Sequence, residues 1–164
     1  MSGYPDRRLA AIYRRCRTVA VVGASHVPTA PAYYVPEYLQ ALGYQIRPIH
    51  PTGGEILGEA VYRRLAEVDT PVDIVSVFRR PATAEALVHD AVAVGATVLW
   101  YQPGTDVEDA VQLAGRSGLI VVTRCCIGST HAELGLGPAG RPAPRPRPHC
   151  AGHRPYRRRN LARS

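Results

Sequence analysis

Three sets of residues in this chain have types and spacings that could do chemistry. The first is Gly23-Ala24-Ser25-His26, directly after the apolar run 19–22. A glycine at such a place lets backbone come close to a phosphate, and a serine hydroxyl can donate to it. The second is arginine near the ends of apolar runs: Arg47 ahead of Ile49-His50-Pro51, and Arg79-Arg80 after Phe78. Guanidinium groups suit phosphate recognition. The third is a scatter of thiols and imidazoles: Cys125, Cys126 and His131, then His149, Cys150 and His153.

Each set has to be weighed against other uses. Ser25-His26 could be nucleophile and base, but the context is not G-x-S-x-G, and adjacent loop residues seldom hold that geometry. A phosphate-contacting serine beside a loop histidine is the preferred reading. The Cys/His set lacks C-x-x-C spacing, and adjacent cysteines in a strand point to opposite faces, so no metal is expected. All twenty basic side chains are arginine. That excludes a P-loop lysine and Schiff-base chemistry.

The elements that must position these residues follow from periodicity. Leu9, Ile12, Tyr13 and Cys16 form a helical stripe behind Pro5, which makes Cys16 a buried thiol. Strands are expected at 18–22, 44–49, 72–78, 97–101 and 119–122. Between them lie helices at about 32–42, from Pro81 to Gly95, and from a capping box Thr105/Glu108 to Gly118, with a short helical piece over 60–68. Pro36 suits the helix at 32–42 only within its first turn. Alternating strands and helices predict a Rossmann-like, doubly wound five-stranded parallel sheet of order 3-2-1-4-5. Ligands would then bind across the carboxyl ends of strands one and four. The loops 23–31, 78–80 and 102–104 converge there.

Charge divides the chain. Residues 1–136 carry twelve arginines and thirteen acids, a net charge of −1. Residues 137–164 carry eight arginines, six prolines and no acid. The first part is expected to be one domain, and the second a disordered basic tail. No run is long enough to cross a membrane and no signal-peptide pattern opens the chain, so the cytoplasm and reduced thiols are expected. A dinucleotide fingerprint would need three glycines where Gly23, Ser25 and Pro28 stand. It would also need an acid where His50-Pro51 stands. Both departures argue against NAD(P).

The register of later motifs resembles that of the small, free-standing CoA-binding proteins. These are related to the CoA-binding domain of the succinyl-CoA synthetase alpha subunit. The matching stretches are Val-Val-Gly23-Ala24-Ser25 with Pro28, Pro31 and Tyr33-Tyr34-Val35; Ile49-His50-Pro51, where the family usually has Asn-Pro; and Gly58-Glu59 with Tyr62 and Leu65. Asp73 through Phe78-Arg79-Arg80, Trp100-Tyr-Gln102-Pro-Gly104 and residues 121–126 complete the set. Ala30 and Ala32 flank Pro31 where relatives often carry Arg and Ser. Arg124-Cys125-Cys126 replaces Asp-Arg-Cys, and Thr130 stands in place of Glu.

The resemblance implies binding of coenzyme A or an acyl-CoA. The pyrophosphate would rest on Gly23, Ala24 and Ser25, and the adenosine end near Arg47, His50 and Pro51. Phe78 and Arg79 would flank the pantetheine or the phosphates, with Pro28, Tyr33, Arg80, Gln102 and Gly104 completing the site. Cys126 aligns with the family's cysteine and could exchange disulfides with the CoA thiol, although a half-buried structural thiol is the preferred reading. The resemblance implies no phosphohistidine chemistry, which in the synthetase belongs to a second domain. Non-catalytic CoA binding is therefore the expected function. The alternatives are an NAD(P)- or thiol-dependent oxidoreductase, and nucleic-acid association through the tail.

Overall fold

The computed structural model describes residues 4–139. Its helices are α1 (Asp6–Arg15), α2 (Pro31–Ala41), α3 (Ala84–Ala93), α4 (Glu108–Arg116) and α5 (Ile127–Glu133). Its strands are β1 (Thr18–Val22), β2 (Gln45–Ile49), β3 (Glu55–Ile56), β4 (Glu59–Ala60), β5 (Ile74–Val77), β6 (Val98–Tyr101) and β7 (Ile120–Val122). Among the described residues no helix is long and apolar enough to cross a membrane.

Five strands form one parallel sheet, as the alternating pattern requires. Side chains alternate across it, and helices cover both faces, so the strands are apolar nearly throughout. One face packs Val19, Val21, Ile46, Ile74, Val98 and Trp100 against α1, α2 and α5. The other packs Ala20, Val75, Val77, Leu99 and Tyr101 against α3 and α4. Cys16 lies in the first layer, where burial pushes its thiol up to about 11.

The strand order corrects the sequence expectation. It is β2-β1-β5-β6-β7. Counting the five sheet strands in chain order, that is 2-1-3-4-5 rather than 3-2-1-4-5. The reason is legible at Pro48. The Tyr62 N–H donates to the Pro48 carbonyl at 3.0 Å, on the side of β2 away from β1. A residue's N and O in a strand point the same way, so Pro48's missing N–H also faces outward. A strand with that defect belongs at an edge. The chain therefore crosses back, and β5 takes the free side of β1. The topological switch point lies between β1 and β5.

Other local expectations also change. The helical piece expected over 60–68 is a β3–β4 hairpin followed by a 3-10 turn at Leu65–Glu67. Leu57 and Gly58 turn the hairpin with φ of 55° and 74°, the pair of positive values a tight two-residue turn needs. Thr105 forms no capping box. Its hydroxyl lies 3.1 Å from the Val77 carbonyl and 2.8 Å from that of Gln102, and α4 starts only at Glu108. Likewise α3 starts at Ala84, three residues after Pro81.

Pro36 is in the second turn of α2, not the first. An ordinary residue there would donate to the Ala32 carbonyl. Proline cannot, and the Ser25 N–H takes that carbonyl instead at 3.2 Å. Thus α2 is coupled to the loop it follows.

Helix α5 was not foreseen in the sequence. It closes the first core layer, with Gly128 so close to Val35 that a Cβ would sit 2.9 Å from Cγ1. It also buries His131 completely among the rings of Tyr13, Tyr38 and Tyr44, with Nδ1 3.0 Å from the Tyr38 hydroxyl. Among the described residues no hydrogen-bond partner stands within bonding range of His131 Nε2. Burial lowers its pKa below the usual imidazole value, partly offset by the Gly137 backbone.

Candidate functional site

The carboxyl ends of β1, β2 and β5 bring four loops together. Gly23 ends β1 with φ +82° and lies against the next loop so tightly that a Cβ would sit 2.6 Å from Arg79 Cβ. Only glycine fits that approach. The Gly23 and Ala24 N–H groups both donate to the Ile49 carbonyl at 3.1 Å, tying the loop to the end of β2. With Ser25 N–H on Ala32, all three N–H groups expected to face a pyrophosphate are engaged within the protein. The Ser25 hydroxyl accepts from the Val27 N–H at 3.0 Å. An anion would therefore meet side chains and the other N–H groups of the loop rather than these three.

Those side chains are basic. His26 extends from the β1 loop to the turn after β2, its Nε2 3.2 Å from the Gly53 carbonyl. The ring is turned to Gly53 rather than to Ser25, which leaves no Ser–His couple. It meets His50 edge to face, with centroids 5.1 Å apart. The His50 Nδ1 faces Thr52, whose N–H is at 3.2 Å and whose hydroxyl is at 2.7 Å. Burial lowers the pKa of His50, helped by the charges of His26 and Arg79. Arg63, carried by the segment after β4, passes beside Gly53, its Nε 3.5 Å from where a Cβ would lie. Two imidazoles and two arginines from four segments thus lie at the carboxyl ends of β1, β2 and β5, the edge of the sheet on which open α/β folds bind ligands.

Arg80 and Gly104 form the far edge of the cluster, linked by a 3.2 Å bond from Arg80 Nε to the Gly104 carbonyl. Gly104 itself turns with φ +81°. Pro28 and Pro51 are exposed, and Tyr33 and Phe78 half-buried. The structure does not bring Arg47 or Gln102 into the cluster. Arg47 lies along the outer edge of β2, bonded to Thr70 Oγ1 at 3.1 Å and facing Glu59 at 4.0 Å. Gln102 is buried. Its amide nitrogen donates to Ser76 Oγ at 2.9 Å, and its amide oxygen accepts from the Ile127 N–H at 3.2 Å. It joins β5, β6 and α5, a structural task that uses both ends of the amide.

Arg63 and His26 are the members that sequence reasoning missed. The signal for His26 was its place in the glycine loop. Arg63 had none, because its position depends on a hairpin read as helix.

Cys125 and Cys126 lie in the turn before α5, not in a strand, and both are half-buried. The Cys125 carbonyl accepts from Trp100 Nε1 at 2.9 Å. Among the described residues no three His, Cys, Asp or Glu side chains come together to hold a metal ion. His149, Cys150 and His153, and the basic tail from 140 onward, lie outside the described residues. A separate groove of about 470 Å³ runs between α3 and α4, with Glu85, Asp109 and Arg116 in its wall. Its two carboxylates make it a poorer anion site than the loop cluster.

A family model described as a CoA binding domain matches residues 17–132. A protein of Bacillus subtilis (strain 168), the uncharacterized protein YneT, is 36% identical over 121 residues. The match covers 74% of this chain and 90% of that protein. A solved structure from Thermus thermophilus, cell-free ID.343, superposes with a TM-score of 0.75 at 32% identity, covering 80% of this chain and 99% of the other. One from Pyrococcus horikoshii OT3 gives a TM-score of 0.77 at 32% identity, covering 80% and 93%.

Proposed function

This chain belongs to the CoA-binding domain family, and on that footing we propose that it binds coenzyme A or an acyl-CoA without transforming it. The observation that carries the proposal is the cationic set at the carboxyl ends of β1, β2 and β5: His26, His50 and Arg63 about the Gly53 turn, with Arg79 beside Gly23. CoA brings a pyrophosphate and a ribose phosphate, and these anionic acceptors complement such donors. Because the Gly23, Ala24 and Ser25 N–H groups are engaged internally, the basic side chains over the loop are the principal phosphate contacts of this reading. Arg79 is the central contact. Gly23 lets that arginine approach, and Arg80 with Gly104 bounds the site.

The dinucleotide alternative has little support here. The end of β2 offers His50, an N–H donor, where a ribose diol would want a carboxylate. The absence of catalysis is argued from the site's chemistry. Ser25 is turned to backbone, His26 to Gly53, and neither forms part of a nucleophile–base couple.

Isothermal titration of the full chain tests this reading. CoA is expected to bind, and NADH and NADPH to produce no comparable heat. Arg79→Ala should weaken CoA at least about tenfold, since a charge-assisted contact is worth roughly 1.5–3 kcal/mol. Saturable NAD(P)H binding without CoA binding would overturn the proposal. Unchanged CoA affinity in Arg79→Ala would move the site elsewhere.

A further inference from the structure

The two histidines of the cluster are not equivalent, and their hydrogen bonds say which nitrogen of each holds the proton. At His50 the Thr52 backbone N–H points at Nδ1 from 3.2 Å. A backbone N–H can only donate, so Nδ1 is the lone-pair nitrogen and Nε2 carries the hydrogen. Protonating Nδ1 would set two N–H groups against each other. At His26 the situation is reversed. Its Nε2 lies 3.2 Å from the Gly53 carbonyl, which can only accept. Nε2 therefore carries the hydrogen of the neutral ring, and Nδ1 is the nitrogen left to take a second proton.

The surroundings reinforce this division. His26 is exposed, whereas His50 is half-buried. Their rings meet at 86° with centroids 5.1 Å apart, close enough that a charge on one opposes a charge on the other. Among the described residues, Arg79, beside Gly23, acts on His50, and Arg63 stands at Gly53, the residue whose carbonyl faces His26. Both are permanently cationic. The pair is therefore arranged to accept one proton, not two.

We propose that His26 is the proton-accepting residue of this site: a phosphate-bearing ligand binds with uptake of up to one proton at His26 Nδ1, while His50 stays neutral and donates from Nε2–H. The inference rests on the CoA reading above. The proton comes from solvent onto the Nδ1 lone pair. No covalent bond to the ligand forms, and nothing is oxidised or reduced. Within the pair, the His26 ring has a donor fixed on one side and a protonatable nitrogen on the other, whereas the His50 Nδ1 already accepts from the Thr52 N–H.

Proton uptake makes affinity depend on pH, with a slope of log K between 0 and about −1 per pH unit from this one group. The ligand's own phosphate gains charge near pH 6 and works in the opposite direction. Wild type must therefore be compared with variants in the same buffers. Calorimetry with CoA at pH 7, in buffers of differing ionisation enthalpy, should show fractional proton uptake in wild type that is lost in His26→Gln, where the ligand phosphate alone contributes. His50→Gln should bind more weakly yet keep the uptake. The glutamine at 26 can still donate to Gly53, so folding is not at issue.

Ring-nitrogen NMR on the full chain supplies the second readout. On adding CoA, the His26 signals should move toward the doubly protonated pattern while His50 keeps its Nε2–H pattern. Equal proton uptake in His26→Gln and wild type would overturn the proposal, as would protonation of His50. If CoA does not bind at all, it is the CoA reading that fails. Inorganic pyrophosphate then replaces CoA in the NMR titration: protonation of His26 sustains the inference, and an unmoved His26 overturns it.

Discussion

Gly23 carries two constraints. Its φ of +82° is one that side chains resist, and a Cβ would press to 2.6 Å from Arg79 Cβ and 3.0 Å from Arg79 N. Gly23→Ala should therefore lower stability by about 2–4 kcal/mol, combining left-handed backbone strain with local overpacking. A urea melt checks this, and a loss below about 0.5 kcal/mol would contradict it. Part of this residue's role was legible in the sequence, since a glycine ending an apolar run signals a close approach. The partner in that approach was not. The sequence suggested a phosphate, whereas the structure places the Arg79 backbone there. Arg47 and Arg63 are a matching case. By type and charge they are interchangeable, yet the β3–β4 hairpin sends Arg63 to the turn at Gly53 and leaves Arg47 on the sheet edge.

The loop and α2 behave as one unit because of Pro36. Its missing N–H leaves the Ala32 carbonyl to the Ser25 N–H. Pro36→Ala supplies a competing donor and should loosen that tie even as it favours the helix. Hydrogen exchange at the Ser25 amide is expected to speed up several-fold while exchange in β1 stays unchanged. An unaltered Ser25 rate would show that the carbonyl serves both donors. Most elements could be read from apolar spacing, but their ends could not. Thr105 looks like a cap in sequence, yet two carbonyls from neighbouring strand ends engage its hydroxyl. Helix α5 escaped notice because it is only seven residues long, too short for periodicity to stand out.

At the scale of the molecule, His131 ties α5 to α1 and α2, and it is buried in its neutral form. Its folded-state pKa is lowered, so the unfolded chain binds a proton more readily. Stability is then full above the unfolded value near 6.5 and declines as pH falls below it, by at most about 1.4 kcal/mol per pH unit for one proton. His131→Phe should flatten that acid decline, leaving the contribution of His50, whose pKa is also lowered. Denaturation midpoints between pH 7 and 5 check this, and an equally steep decline in the variant would reject it. The sequence by itself determined the layered α/β plan, the parallel strands, the apolar faces and the CoA-type register of motifs. These depend on local periodicity and on residue order, which one dimension records. Tertiary structure alone decided the strand order, the engagement of the Gly23, Ala24 and Ser25 N–H groups, and the placing of Arg79 against Gly23 and of His26, His50 and Arg63 about the turn at Gly53. These depend on which distant segments become neighbours, and Pro48, by keeping β2 at the edge, is the residue through which that choice was made.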